Sequence, residues 1–243
     1  MIFPMYKRSL FILIFLALIS CKKEVNITFS EFNKVYNVNA VVELNIPRAQ
    51  GEKTVSLAIN SKIENHIANA LSFSEENSDS LQLEEAIVKF QEEYASFKSD
   101  YEESAMVWEA MFDGEVVYQS ADVITVAING YTNTGGAHGN MDISLYNFDA
   151  HTGDLLEIDD LVSDMEGFKQ LVETYFNKEI ESDKDAERSE FFFGDPFHLP
   201  ANIGFNEEGV LILYNVYEIA SYAQGITEFT IPFDDVSDYL KIY

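Results

Sequence analysis

Hydrophobic residues recur at helical spacing in three stretches of the chain, and each stretch predicts an amphipathic helix. The stretches cover residues 53–71, 81–99 and 164–181. In the second, large apolar residues follow one another at intervals of four, three, four and three: Leu83, Ile87, Phe90, Tyr94 and Phe97. That spacing places them on one face of a helix, which must be buried against another element.

Apolar and polar residues alternate with a period of two in the rest of the chain, which predicts strands. Residues 34–47 form the first predicted strand, ended by Pro47. From residue 105 onward strands and turns dominate, and a turn is expected at Asp113-Gly114. A hairpin turn is expected at 149–154, where Gly153 takes the position that needs a positive φ.

The order of these elements predicts an α+β fold, in which about three amphipathic helices pack on an antiparallel sheet. We expect two interlocked subdomains, covering residues 34–160 and 161–243. Residues 21–33 are polar without a clear period and predict a short tether. Residues 234–243 predict a capped terminal helix.

The N-terminus is predicted to be a signal peptide of 20 residues. Lys7 and Arg8 precede an apolar run over 10–19, which is too short to span a bilayer. The run ends in "LISC", which resembles a bacterial lipobox and implies cleavage before Cys21 followed by acylation of that cysteine. The alternative is an ordinary secretory signal with a chance cysteine. We expect a lipid-anchored protein of the bacterial cell envelope, on the periplasmic or outer-membrane side.

Charge and cysteine content exclude several classes of function. Lys7 and Arg8 are two of the 15 basic residues, so the chain from Cys21 onward carries 13 basic and 42 acidic residues, a net charge of −29. Nucleic-acid binding is not expected, because phosphates need a basic footprint. Cys21 is the only cysteine, so the exported part has no disulfide and no thiolate nucleophile.

The stretch "GGAHG" is the most suggestive local motif. Its glycines, Gly135, Gly136 and Gly139, suit a β-bulge or a tight turn, and His138 could bond backbone groups that a bulge leaves open. We favour a strand–bulge–strand element over a ligand-binding loop and over a catalytic role. The other histidines, His66, His151 and His198, lack metal-site spacing, and His66 is expected at the surface or boundary of the first helix. No metal or cofactor is expected.

Three separated motifs carry a family resemblance. They are "YTNTGGAHGN" (131–140), "YNFDAHTGDLLEIDDLV" (146–162) and "LYNVYEIASYAQGITEFTIPFDDVSDYL" (213–240). Together they resemble the extracellular domain of the sigma-V anti-sigma factor that senses lysozyme. They also resemble the accessory domain of some peptidoglycan deacetylases. The family usually shows proline where this chain has Ser221.

The resemblance implies a non-catalytic envelope binding domain, and we expect from this chain neither the sigma-factor output nor deacetylation. Its partner would be a lysozyme-like basic protein or a cell-wall glycan. The alternatives are a wall-active hydrolase using carboxylates near His138 or Glu218, and a purely structural lipoprotein. The residues expected to contact a partner are Tyr131, His138, Tyr217, Glu218 and Tyr222. A competing interpretation buries "YEIASYA" as a lock between the two halves.

Overall fold

The structure is a computed structural model of the chain, and it describes residues 26–74, 77–136, 138–182 and 188–241. The predicted signal peptide and the lipidation site at Cys21 lie outside the described residues and stay predictions. Within the described ranges, no helix is both long and apolar enough to cross a membrane.

The first half of the chain forms a five-stranded sheet covered by two helices. Its strands lie in the order of the chain: β1 (Ile27–Asn37), β2 (Val41–Gly51), β3 (Glu109–Gln119), β4 (Val123–Asn133) and β5 (Asn140–Asp149). Helices α1 (Lys53–Ala70) and α2 (Leu83–Asp100) connect β2 to β3. Because this connection is a helical crossover, β2 and β3 pair in parallel, whereas all other neighbours are antiparallel.

The second half forms a three-stranded antiparallel sheet with its own helices. Its strands are β6 (Asn202–Phe205), β7 (Gly209–Tyr214) and β8 (Thr227–Pro232). Its helices are α3 (Ile158–Leu161), α4 (Met165–Ser182) and α5 (Phe233–Val236). Two hydrophobic cores result, and adjacent residues of β4 divide between them: Ile124 belongs to the first core and Val123 to the second.

The α+β fold and the three long helices are confirmed. The apolar stripe of α1, with Ile59, Ile63 and Ile67, is at most 1% exposed. Phe168 and Phe176 of α4 are fully buried in the second core. The turn at 149–154 is also confirmed, since Gly153 has a φ of 78° and lies against the backbone of Val55.

Two predictions near the N-terminus are wrong. Residues 27–33, expected to be part of a tether, form most of β1, because β2 supplies a hydrogen-bonding edge along the whole strand, from Ile27↔Gly51 to Asn37↔Val41. Pro47 does not end β2. The parallel ladder to β3 stops at Asn45, so no N–H is needed at Pro47 on that side.

Three further predictions need correction. Asp113-Gly114 is no turn but the middle of β3, where a Cβ on Gly114 would lie 2.6 Å from the Ile128 side chain. Glycine here allows close packing. The predicted terminal helix is only one turn, Phe233–Val236, followed by a 3₁₀ turn at Ser237–Tyr239. The single antiparallel sheet is replaced by two sheets, one with a parallel pair.

The outer edge of β5 is covered by groups from the second half of the chain. Asn215 acts as a clamp: its Oδ1 accepts from the Ile143 N–H at 2.8 Å, and its Nδ2 donates to the Ile143 carbonyl at 2.8 Å. Asn202 Oδ1 accepts from the Leu145 N–H at 3.0 Å. The Leu156 N–H donates to the carbonyl of Asn147 at 2.7 Å. These bonds satisfy backbone groups that an edge strand would otherwise expose.

A buried polar pair joins the two sheets beneath this edge. Thr125 donates its hydroxyl to Asn147 Oδ1 at 2.8 Å, and Asn147 Nδ2 donates to the Ile203 carbonyl at 2.7 Å. The Thr125 hydroxyl in turn accepts from the Phe205 N–H at 3.3 Å. Buried polar groups need partners, so this network fixes how β6 lies against β4 and β5.

Replacing Asn215 with alanine should lower the free energy of unfolding by about 2 kcal/mol, because two backbone groups of Ile143 lose their partners. Urea denaturation measures this. Asn33→Ala, at an exposed position of β1, is the matched control and should change stability little. Equal stability of the two variants would contradict the edge-clamp interpretation.

Candidate binding site

The "GGAHG" motif lies in the loop that joins β4 to β5. The β4–β5 register runs without a shift up to Thr132↔Asn140, so the favoured bulge is wrong, and the motif is the hairpin turn that the same glycines also suited. Gly135 has a φ of 110°, and its N–H donates to Asn133 Oδ1 at 3.1 Å. Glycine is required there because other residues rarely adopt this backbone conformation.

Tyr131 lies beneath the loop and not at its tip. A Cβ on Gly139 would come within 2.2 Å of the Tyr131 ring, so the ring packs directly on the glycine backbone. The phenol oxygen of Tyr131 also accepts from Asn133 Nδ2 at 3.4 Å. The structure therefore gives Tyr131 a supporting position in the hairpin. Gly136 is exposed, and a Cβ there would lie 3.2 Å from the His138 carbonyl oxygen.

Three of the candidate contact residues form one exposed group, here called the aromatic row: His138, Tyr222 and Tyr217. The rings of His138 and Tyr222 stack with centroids 5.4 Å apart and planes 20° from parallel. Tyr217 and Tyr222 follow at 5.7 Å. Tyr217 is 63% exposed and Tyr222 41% exposed. The row thus joins the hairpin of the first half to the loop after β7 in the second.

Glu218 points away from this surface into the protein. Its Oε1 accepts from the Ala201 N–H and its Oε2 from the Asn215 N–H, both at 2.8 Å. Both carboxylate oxygens are thus engaged with backbone. The next residues, Ile219 and Ala220, are buried, at 1% and 2% exposure. The centre of the loop is therefore buried in the second core, and exposed tyrosines lie on either side of it. Its role as a lock between the two halves stays a prediction.

Two backbone features fix where the tyrosines point. Tyr217 has a φ of 66°, a left-handed conformation that few non-glycine residues adopt and that often marks functional positions. Ser221, where related sequences usually carry proline, has a φ of −68°. This value falls in the range that proline would impose, so proline would fit the backbone at this position.

A second aromatic group, the Trp108 cluster, lies on the other flank of the hairpin. The rings of Phe73, Phe90, Tyr94 and Phe97 surround Trp108 with centroids 5.4 to 5.7 Å away. A Cβ on Gly135 would meet Met106 Sδ at 2.9 Å and Trp108 Nε1 at 3.8 Å. Trp108 Nε1 is buried and has no hydrogen-bond partner among the described residues. The glycine loop therefore packs tightly on this cluster.

A cleft of about 360 Å³ opens between α1 and the β4–β5 hairpin. We call it the polar cleft. Its lining is Lys62, Asn65, His66, Asn69, Ala70, Asn77, Asp79, Phe112, Gly130, Thr132, Asn140, Asp142 and Tyr146. The amides of Asn65 and Asn69 are already occupied, because both donate to the Ser78 carbonyl and hold the following loop against α1. They build the rim of the cleft.

His66 lies at the boundary of the first helix, as expected, but it also has a hydrogen-bond partner that the sequence does not reveal. It is half-buried in the polar cleft, with Nδ1 2.8 Å from the Tyr146 hydroxyl and with Nε2 buried and unpartnered among the described residues. The expectation of a surface or boundary position missed this hydrogen bond. Ile59, Ile63 and His66 follow at intervals of four and three, so the buried face of α1 already extended to the histidine in the sequence.

Burial shifts the pKa values of the groups in the cleft. It raises the pKa of Tyr146 to about 12, and the phenol stays protonated in its hydrogen bond with His66 Nδ1. Burial also lowers the pKa of His66, an effect that the Asp142 carboxylate opposes and Lys62 reinforces. The pKa of Asp142 is raised, chiefly by burial. The cleft thus disfavours the charged form of each of these groups.

The described part of the chain contains no group of three or more His, Cys, Asp or Glu side chains that could hold a metal ion. The remaining histidines are used locally. His151 Nε2 lies 3.2 Å from Asp122, and His198 Nδ1 lies 3.1 Å from the Leu199 carbonyl oxygen.

Two family models match successive parts of the chain. Residues 33–141 match the family described as deacetylase PdaC, and residues 159–234 match a family of proteins of unknown function, DUF3298. No curated protein matches the chain. The expected resemblance is confirmed at the level of these two families, and its lysozyme-sensing part remains a prediction.

Two crystal structures share the fold. They are DUF3298 family proteins from Bacteroides fragilis and from Pseudomonas aeruginosa. Each is 17% identical to this chain, with a TM-score of 0.60, and the match covers 89% of this chain and 94% of the other. At this identity the likeness establishes the common fold alone.

Replacing Glu218 with glutamine should lower the free energy of unfolding by about 1–3 kcal/mol, because the amide group cannot accept from both backbone N–H groups. Thermal or urea unfolding measures this. Glu228→Gln, on an exposed position of β8, is the control. If Glu218→Gln were as stable as the control but failed to bind a partner, the carboxylate would be a contact group and not a structural one.

Replacing Asp142 with asparagine should lower the pKa of His66 further, because it removes the negative charge that raises it. NMR titration of the histidine ring protons measures the shift, and an upward shift would contradict the assignment. Asp122→Asn, beside His151, is the control and should leave the His66 titration unchanged.

The same histidine makes stability depend on pH. Its pKa in the folded chain lies below the usual 6.5, so the unfolded chain takes up the proton first as the pH falls. The contribution of neutral His66 to stability is therefore complete above pH 6.5 and declines through the window just below it.

Proposed function

We propose that this chain is a non-catalytic, lipid-anchored protein of the cell envelope that binds a basic, lysozyme-like protein. The aromatic row is the observation that carries the proposal. His138, Tyr222 and Tyr217 present three adjacent exposed rings, and two of them stack without burying their outer faces. Tyrosine supplies a large, rigid and amphipathic contact area, which is typical of protein-binding hot spots.

Charge supports a basic partner. The chain has a formal net charge of −27 at pH 7, and its sequence pI is about 4.2. Helix α2 contributes four exposed glutamates to this negative charge: Glu84, Glu85, Glu92 and Glu93. A surface this acidic steers basic proteins toward it and repels acidic ones.

The position of Glu218 favours binding over hydrolysis. A hydrolytic site at the aromatic row would need a carboxylate free to act as acid or base on a substrate. Both oxygens of Glu218 instead accept backbone N–H groups, and the side chain holds the loop in place. The row therefore offers contact area in place of a reactive group.

The family matches and the N-terminal sequence support an envelope location. The PdaC match names a deacetylase, and the motifs of this chain resemble the accessory domain of such enzymes and a lysozyme-sensing domain. Lipidation at Cys21 would tether the binding domain to the membrane surface. Multiple acyl chains give a stable anchor, whereas one gives only marginal binding.

Replacing Tyr222 with alanine should weaken binding to a basic C-type lysozyme at least about tenfold, because the central ring of the row is lost. Isothermal titration calorimetry with the purified protein at low ionic strength measures the dissociation constant. Phe193→Ala removes an exposed ring outside the row and should bind as the unaltered protein does.

Salt and a charge-reversed partner provide the controls. Raising the salt concentration should weaken the interaction, because it screens the attraction between the acidic surface and the basic partner. α-Lactalbumin, an acidic protein with the lysozyme fold, should not bind. Absence of lysozyme binding at low salt, or equal binding of both proteins, would refute the proposal.

A further inference from the structure

We propose that the polar cleft is a binding site for a neutral saccharide. The cleft is separate from the aromatic row, is lined by α1 and by alternate residues of β4 and β5, and goes beyond the protein partner proposed above. Its volume of about 360 Å³ lies at the lower end of the range for small-molecule sites, about 300–1,000 Å³. It is therefore suited to one or two sugar rings.

The base of the cleft is apolar and aromatic. Tyr146 and the almost fully buried Phe112 both line it, and Gly130 of β4 lies beside the Phe112 ring without a side chain to cover it. A Cβ on Gly130 would already lie 3.2 Å from the Phe112 ring, so any larger residue would fill this space. A sugar ring has an apolar face of C–H groups, which packs well on such a surface.

The walls of the cleft carry neutral polar groups. The side chains of Thr132 and Asn140 form no hydrogen bond with another described residue, although Asn140 is paired with Thr132 in the β4–β5 ladder. A hydroxyl and a primary amide can each donate and accept, as sugar hydroxyls require. Asn77 adds another primary amide to the lining. The apolar base and the polar walls together match a saccharide, which has apolar ring faces and polar hydroxyl groups.

The charges around the cleft favour a neutral ligand over an anion. The titratable groups that line it are Lys62, His66, Asp79, Asp142 and Tyr146. The ammonium group of Lys62 lies 6.0 Å from the centre of the Tyr146 ring, and two carboxylates accompany this one cation. A phosphate or carboxylate ligand would meet more negative than positive charge here, in a chain that is already strongly acidic.

The test is NMR titration of the isotope-labelled protein with three neutral trisaccharides, namely tri-N-acetylchitotriose, cellotriose and maltotriose, and with adenosine monophosphate as an anionic control. At least one sugar should shift the amide signals of Gly130, Thr132, Asn140 and Asp142 in a saturable manner. No saturable shift with any sugar, shifts confined to residues outside the cleft, or tighter binding of adenosine monophosphate would overturn the proposal.

Two variants separate a binding role from a structural one. The double variant Thr132→Val, Asn140→Ala removes both unpaired polar groups and should weaken sugar binding at least about tenfold. Asn129→Ala, on the opposite face of β4, is the matched control and should leave binding unchanged. Unchanged affinity in a folded double variant would overturn the proposal, and if that variant does not fold, Asn140→Ala alone takes its place.

Tyr222→Ala distinguishes the two sites. It should bind the sugar as the unaltered protein does, while losing the basic protein partner. The saccharide proposal therefore stands or falls separately from the function proposed for the aromatic row.

Discussion

The open edge of β5 is the constraint on which the arrangement of this protein depends. A strand at the edge of a sheet exposes backbone donors and acceptors, which would otherwise pair with another chain. Here side chains and one backbone N–H satisfy them, and the Asn215 clamp bonds both backbone groups of Ile143. Asn215 directly follows β7. The hydrogen bonds that cover the edge of the five-stranded sheet therefore also position the second half of the chain on the first.

The aromatic row follows from this arrangement. Glu218 accepts the N–H of Asn215, so the group that orients the loop is bonded to the residue that clamps the edge. Tyr217 and Tyr222 are thereby held beside the β4–β5 hairpin, where His138 stacks on Tyr222. One loop thus supplies a polar contact between the halves and an exposed contact surface, which explains why its short motif has a buried centre flanked by exposed tyrosines.

The spacing of apolar residues in the sequence predicted those elements that bury one face and expose the other. Helix α1 was predicted almost to its last residue, because an apolar stripe on a helix is visible in the sequence. Residues 27–33 of β1 were missed because an edge strand with a largely exposed face needs little alternation. The parallel pairing of β2 with β3, and the hydrogen bond between His66 and Tyr146, join residues far apart in the chain, and no local pattern encodes them.

The hairpin that carries "GGAHG" separates two chemically different surfaces. Thr132 and Asn140 alternate with Tyr131 and Met141 along β4 and β5, so one set lines the polar cleft while the other points to the opposite face. At the tip, the backbone must pass close to the Tyr131 ring, and only glycine at position 139 leaves room for it. Gly139 is therefore explained by packing and Gly135 by its positive φ, and His138 is the chemically distinctive side chain that the motif presents to solvent.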